Sequence, residues 1–246
     1  MTKDWFEEWF NTTYYHTLYK NRDEKEAIRF IDNLCEYLKI EPNAKILDLA
    51  CGKGRHAIHL AKKGFVTTGV DLAEKSILKA KENSVLNVKF DVHDMRKTYK
   101  KREFNFVFNL FTSFGYFKNS NDNIDVLNGV AQNLKKEGLF VLDFLNSKKV
   151  IMSLVASEDK HIDGIQFEIR RHFDGANIIK DIQVKDQDQV YTFQERVSAF
   201  NLNDLNEMAE IAGLKIIQTF GDYQLNSFNE TSSDRLILIM KLSENN

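Results

Sequence analysis

Residues 46–56 read ILDLACGKGRH: an apolar segment runs straight into a Gly-x-Gly turn and then into a basic stretch compatible with a helix. This feature constrains the fold more than any other in the chain. Glycine reaches backbone conformations closed to other residues and lets the chain approach a ligand closely. A strand that turns so tightly into a helix is half of a strand–helix–strand crossover. The amides opening that helix face whatever the turn holds, with the positive end of the helix dipole behind them. The glycines do not by themselves choose the ligand.

The surrounding chain repeats the theme. KILDLA (45–50) is followed by FVTTGVD (65–71), VKFDVHD (88–94), FNFVFNL (104–110) and LFVLDFL (139–145). Several of these runs are apolar at consecutive positions, as strands covered on both faces are. Residues 21–39 predict an amphipathic helix, with Ala27, Ile28, Ile31, Leu34, Cys35 and Leu38 at helical spacing and Asn21 with Glu24 as a capping box. Pro42, the only proline, falls in the turn after it. Two further helices are expected at RHAIHLAKKG and DNIDVLNGVAQNLKKEG. Lys62 and Lys63 before Gly64, and Lys135 and Lys136 before Gly138, read as helix punctuation: cations in the last turn, then a left-handed cap. Strands alternating with helices imply right-handed crossovers and an open parallel sheet that binds ligands beyond the carboxyl ends of its strands.

Near residue 160 the pattern changes. IQFEIRRHF (165–173), NIIKDIQVK (177–185) and VYTFQERVSAF (190–200) are strand-like, the first pair joined by the hairpin signal Asp174-Gly175. The α/β pattern resumes with LNDLNEMAEIAG (202–213), LKIIQTF (214–220) and RLILIMKL (235–242). The expected organisation is one α/β domain (21–158 and 200–246), an antiparallel β-meander inserted at 159–199, and an aromatic N-terminal segment (1–20).

Gly52-Lys53-Gly54-Arg55-His56-Ala57 satisfies G-x-G-x-x-A, the dinucleotide fingerprint, and Asp71 ends the next strand. An NAD(P)-dependent oxidoreductase is therefore one reading. Three features favour another. Asp48, inside the first strand, opposes a pyrophosphate but suits a cationic amino-acid group. Asp94, closing the third strand, can accept from an adenine amine. The chain's ending fits a seventh strand inserted antiparallel. At these residues the sequence resembles the class I S-adenosylmethionine-dependent methyltransferases, over about 21–156 and again over 200–242.

The resemblance implies an α/β, Rossmann-like seven-stranded sheet in the order 3-2-1-4-5-7-6. It implies S-adenosylmethionine as cofactor, held around the first motif, Asp48-Leu49-Ala50-Cys51-Gly52-Lys53-Gly54. Asp71, with Leu72 beside it, would hold the ribose hydroxyls. Asp94 and Met95 would meet adenine, with Asp91 as the competing carboxylate. Asn109, Leu110 and Phe111, opening the segment that runs on through FTSFGYF to Tyr116, would line the methionine arm and the acceptor. Arg55 either clamps the methionine carboxylate or is solvated. A catalytically silent S-adenosylmethionine-binding module remains a further alternative.

A formal net charge of −2 makes the chain no trap for a polyanion, and the basic run KTYKKR (97–102) reads as a solvated loop. FTSFGYF lacks the Asn/Asp-Pro-Pro-Tyr type of motif that the family's amino-methylating enzymes acting on bases and glutamine use there. A small-molecule acceptor is therefore expected rather than nucleic acid. No base is marked by the sequence; Tyr15, His16, Tyr116 and His172 are the acceptor-pocket candidates. His56 and His59, three apart on a helix, lack the further ligands of a zinc site, so no metal is expected. The N-terminus has no leading apolar run, and Cys35 and Cys51 form no disulfide framework, so a cytoplasmic protein without a membrane span is expected. The aromatic segment is expected to fold over the cofactor as a lid, with Tyr15 or Tyr19 reaching the methionine end. One face of the insertion is expected to cover the acceptor pocket, with a homodimer contact as the rival role.

Overall fold

The computed structural model describes residues 5–20 and 24–244. Its first elements are α1 (Trp5–Trp9), α2 (Thr13–Leu18), α3 (Glu24–Tyr37), β1 (Lys45–Leu49), α4 (Arg55–Lys62) and β2 (Val66–Asp71). Next come α5 (Glu74–Glu82), β3 (Val88–Val92), β4 (Phe104–Asn109), α6 (Ser120–Asn133), β5 (Leu134–Leu145) and α7 (Ser147–Met152). The chain continues through β6 (Ser157–Ile162), β7 (Ile165–Phe173), β8 (Asn177–Asp186) and β9 (Gln189–Ser198). It finishes with α8 (Leu202–Ile211), β10 (Leu214–Phe220) and β11 (Arg235–Leu242).

Seven strands form one sheet in the order β10-β11-β5-β4-β1-β2-β3. With β10 and β11 counted as sixth and seventh, this is the expected 3-2-1-4-5-7-6. Strands β1 to β5 pair in parallel, and β11 enters antiparallel between β5 and β10. Helices cover both faces. Leu127 and Val130 of α6 and Leu205 and Ala209 of α8 pack on one; Phe30, Ile31 and Leu34 of α3 and Leu60 of α4 pack on the other. Burial on both faces is why the strands lack polar alternation: Leu236 to Met240 of β11 are all buried.

Two local expectations change. The capping box of Asn21 and Glu24 lies outside the described residues. In α3 itself, Ile28 is exposed and Phe30 takes its place in the core. Lys62 and Lys63 do close α4, with Gly64 at φ +96°, but Lys135, Lys136 and Gly138 do not punctuate a helix. Helix α6 stops at Asn133, whose buried side chain accepts the Tyr99 and Lys100 amides at 2.9 and 2.8 Å and pins the 97–102 loop. Leu134 is already extended, and Lys135–Gly138 form a bulge in β5 between the pairs Leu134–Phe104 and Leu139–Phe106. Gly138 is needed for space: a Cβ there would lie 3.0 Å from the Leu134 side chain and the Lys135 and Phe104 carbonyls.

The insertion is a four-stranded antiparallel sheet, β6-β7-β8-β9. Its β7–β8 hairpin turns at Asp174-Gly175 as expected. Gly175 has φ +98°, and Asp174 Oδ1 accepts the Ala176 and Asn177 amides at 2.9 and 2.7 Å. Strand β6, SEDKHI, was not foreseen. It is an edge strand with a single apolar residue, Ile162, and a charged edge carries no apolar period to read.

Helices α1 and α2 fill the space between the two sheets. Trp9 and Leu18 pack with Phe167, Ile169, Ile182 and Val184 of the insertion. The Trp9 indole and the Tyr19 hydroxyl both donate to Glu195 Oε1 at 2.7 Å. Phe6 instead joins the core of the large sheet, its ring 5.7 Å from that of Phe117. Among the described residues no helix is long and apolar enough to cross a membrane.

Candidate functional site

A cavity of about 450 Å³ opens beyond the carboxyl ends of β1 to β4. The turn after β1 shapes its floor through three left-handed residues, Ala50 (φ +58°), Gly52 (φ +55°) and Gly54 (φ +78°). The Gly52 amide donates to Asp71 Oδ2 at 2.8 Å, and the Ala73 amide to Asp71 Oδ1 at 2.8 Å. One carboxylate thus braces the glycine turn and the start of α5, while each oxygen keeps an acceptor direction for a ligand. Burial pushes the Asp71 carboxyl above its ordinary value, against the pull of these amides.

Asp48 is 2% exposed and lines the same cavity. Its Oδ2 has no hydrogen-bond partner among the described residues. Burial pushes its pKa up to about 7, assisted by the charge of Asp71 and opposed by the Ala57 amide and Arg55. A buried carboxylate oxygen left unsatisfied is costly unless a ligand completes it. The group that completes it best is a cationic N–H donor.

Asp94 lies two residues past β3 and also lines the cavity. Arg96 grips it, with Nε 3.0 Å from both oxygens, Nη2 2.7 Å from Oδ2 and the backbone amide 3.0 Å from Oδ1. Burial pushes this carboxyl up, but the Arg96 contacts hold it below its ordinary value. The rival Asp91 is absent from the cavity wall and accepts the Tyr99 hydroxyl instead.

Ala50, Cys51, Arg55, Leu72, Met95, Leu110 and Phe111 reach the cavity as anticipated. Gly54 and Asn109 do not line it. A Cβ on Gly54 would lie 2.5 Å from the Phe90 ring, so this glycine lets α4 settle on β3. Asn109 is fully buried; its amide donates to the Leu49 carbonyl at 3.2 Å and ties the tips of β1 and β4 together.

The segment after β4 holds the largest departure from the sequence reading. Phe111 (φ +59°) and Thr112 (φ +57°) are both left-handed, a conformation that costs bulky and β-branched residues energy and persists only where surroundings enforce it. The enforcing group is Asp143, fully buried in β5. Its Oδ2 accepts the Phe111 amide at 2.7 Å, and its carbonyl accepts the Thr112 amide at 3.0 Å. Arg235, opening β11, donates to Asp143 Oδ1 at 2.7 Å and to Thr112 Oγ1 at 2.8 Å. Neither residue was a sequence candidate, although a lone Asp inside LFVLDFL and an Arg heading RLILIMKL were visible signals.

Of the acceptor-side candidates, Tyr15, His16 and Tyr116 line the cavity. The Tyr116 hydroxyl donates to the Thr112 carbonyl. Burial, then the charge of Lys53, lowers the pKa of His16 to about 4. His172 is a correction: strand alternation puts it on the outer face of the insertion, 54% exposed and 3.6 Å from Asp181. Among the described residues, none from 157 to 198 lines the cavity. The insertion packs on α1 and α2, and those helices stand between it and the cavity. His56 stacks on Phe111 (4.6 Å between centroids), whereas His59 pairs with Asp32 at 2.9 Å. The two histidines therefore do separate structural work.

A family model described as a methyltransferase domain matches residues 40–213. The putative methyltransferase YqeM of Bacillus subtilis (strain 168) is 38% identical over 128 residues, 49% of this chain and 52% of that protein. A dTDP-3-amino-3,4,6-trideoxy-alpha-D-glucopyranose N,N-dimethyltransferase of Streptomyces venezuelae is 29% identical over 100 residues, 41% of this chain and 42% of that protein. The chain spans about half the length of the curated relatives it matches. An S-adenosylmethionine-dependent methyltransferase from Clostridium acetobutylicum ATCC 824 has the same fold, with a TM-score of 0.78 at 20% identity over 94% of this chain and 96% of that one. Seven strands in this order, a glycine turn under a carboxylate-lined cavity, and a family match over most of its length place the chain in the methyltransferase-domain family.

Proposed function

We propose that the protein transfers a methyl group from S-adenosylmethionine to a small-molecule acceptor. The unsatisfied Asp48 oxygen carries the reading: a carboxylate at that depth fits an ammonium group and would repel the pyrophosphate of a dinucleotide. The cofactor supplies a methyl group already activated on a sulfonium. The chain's residues therefore bind, orient and exclude water. Asp48 receives the amino group, Asp71 the ribose hydroxyls and Arg55 the methionine carboxylate. Asp94 serves the adenine amine by sharing oxygens that Arg96 already holds, with Met95 as the apolar wall.

In this reading residues 1–20 are the lid and 159–199 the acceptor-side cap, which acts through the lid rather than on the cavity directly. Tyr15, His16 and Tyr116 border the acceptor, and His16 stays a neutral imidazole there. The sugar-nucleotide amine named for the Streptomyces venezuelae relative supports a small acceptor, as does a cavity roofed by aromatic helices. Cytoplasmic residence, with Cys35 and Cys51 as free buried thiols, belongs to the same reading. A homodimer contact stays the rival role of the insertion, whose outer face carries Gln166, Glu168, Arg170 and His172.

Thermal unfolding with S-adenosylhomocysteine or NAD tests the choice of ligand. At about 100 times Kd, S-adenosylhomocysteine is expected to raise the midpoint by roughly 5–10 °C, and NAD to leave it unmoved. Stabilisation by NAD alone would replace this reading with the oxidoreductase one.

A further inference from the structure

The charges on the cavity wall divide by position. Its carboxylates, Asp48, Asp71 and Asp94, stand at the tips of β1, β2 and just past β3. Its lysines and arginine, Lys20, Lys53 and Arg55, come from the N-terminal segment, the glycine turn and the start of α4. Asp94 is already neutralised by Arg96, and Lys20 is paired with Asp163 of the insertion. With Arg55 assigned to the cofactor, one cation is left over. Among the described residues no carboxylate forms an ion pair with Lys53, and the charged group acting on it is another lysine, Lys79.

We propose that the methyl acceptor carries an anionic group, a carboxylate or a phosphate, which Lys53 of the glycine turn and His16 of α2 receive. The proposal rests on the methyltransferase reading and names the class of its substrate. An ammonium on a ligand cavity's wall without a counter-ion is complementary to an anion and rejects a cation. His16 lines the same cavity and feels the charge of Lys53. Its neutral ring keeps one N–H donor and adds no charge that would bind anions indiscriminately. Burial and the Lys53 charge hold His16 in that neutral form.

The test is calorimetric titration of inorganic pyrophosphate, and separately of succinate, into the protein saturated with S-adenosylhomocysteine at fixed ionic strength. At least one anion is expected to bind the wild type. Its affinity should fall about two- to fivefold in Lys53→Gln, the scale of one solvent-exposed charge pair, and stay unchanged in Lys79→Gln. Pyrophosphate binding would mark a phosphate acceptor and succinate binding a carboxylate one. Binding of neither anion, or equal binding to wild type and Lys53→Gln, would overturn the proposal. Failure of S-adenosylhomocysteine itself to bind would sink the methyltransferase reading and this inference with it.

Discussion

Asp48→Asn is expected to make the ligand-free protein more stable and to cost it its cofactor. The folded-state pKa of Asp48 is about 7, against an ordinary value of 3.8. In the unfolded chain the group ionises near pH 4, but in the folded protein only near pH 7. Folding therefore takes up a proton between those values, and this group's contribution to stability falls as pH rises through the window. Above it the buried charge costs about 4 kcal/mol, of which an asparagine amide left partly unpartnered gives back about 2. A gain of about 2 kcal/mol at pH 8, or roughly 4–8 °C in Tm, is expected. It should shrink as pH falls and turn into a loss near pH 4, where the charge cost is gone and the amide cost remains. Loss of the ammonium partner should weaken S-adenosylmethionine on the order of 100-fold. In the wild type, affinity should rise with pH from 6 to 8 as Asp48 ionises. A variant that is destabilised at pH 8, or that binds normally, would show that Asp48 faces no cationic ligand.

Arg235→Met is expected to have the largest effect on stability. Asp143 is fully buried, and Arg235 is its only ion-pair partner among the described residues. Removing one member of such a pair strands the other charge and costs about 3–5 kcal/mol, or roughly 6–20 °C in a domain of this size. Asp143 can then escape only by taking up a proton, so the deficit should narrow as pH falls towards 5. Arg235→Lys keeps the charge and should lose less. The same substitution frees Thr112 Oγ1 and relaxes the restraint on the left-handed Phe111-Thr112 turn at the cavity wall. Cofactor affinity should therefore fall even at temperatures where the variant is fully folded. Chemical denaturation at pH 5 and pH 7.5, with calorimetric titration at 15 °C, measures both.

The large sheet was legible because each of its parts leaves a local mark. Consecutive apolar residues identify doubly covered strands, Gly52 and Gly54 identify the turn, and the carboxylates at 48, 71 and 94 sit at strand tips. Most of the cavity floor follows from those marks. What escaped reading depends on partners distant in sequence. The Asp143–Arg235 pair joins residues in two strands that become neighbours only when β11 inserts beside β5. Lys135 and Lys136 suited a helix end, but buried Asn133 stops the helix earlier. Strand β6 is polar because it is an edge. Alternation puts Phe167 and Ile169 of β7 on one face, yet it cannot say what that face will meet. It meets Trp9 and Leu18, which leaves His172 on the outside.

The placing of the cofactor's adenosine in this cavity depends on the carboxylate at the tip of β2. Calorimetric titration of S-adenosylhomocysteine into wild type and Asp71→Ala, with folding verified by circular dichroism, measures its role directly. The wild type is expected to bind, and Asp71→Ala to bind at least tenfold more weakly, the scale of one charged hydrogen bond to the ribose. Equal affinity in two well-folded proteins would contradict the assignment.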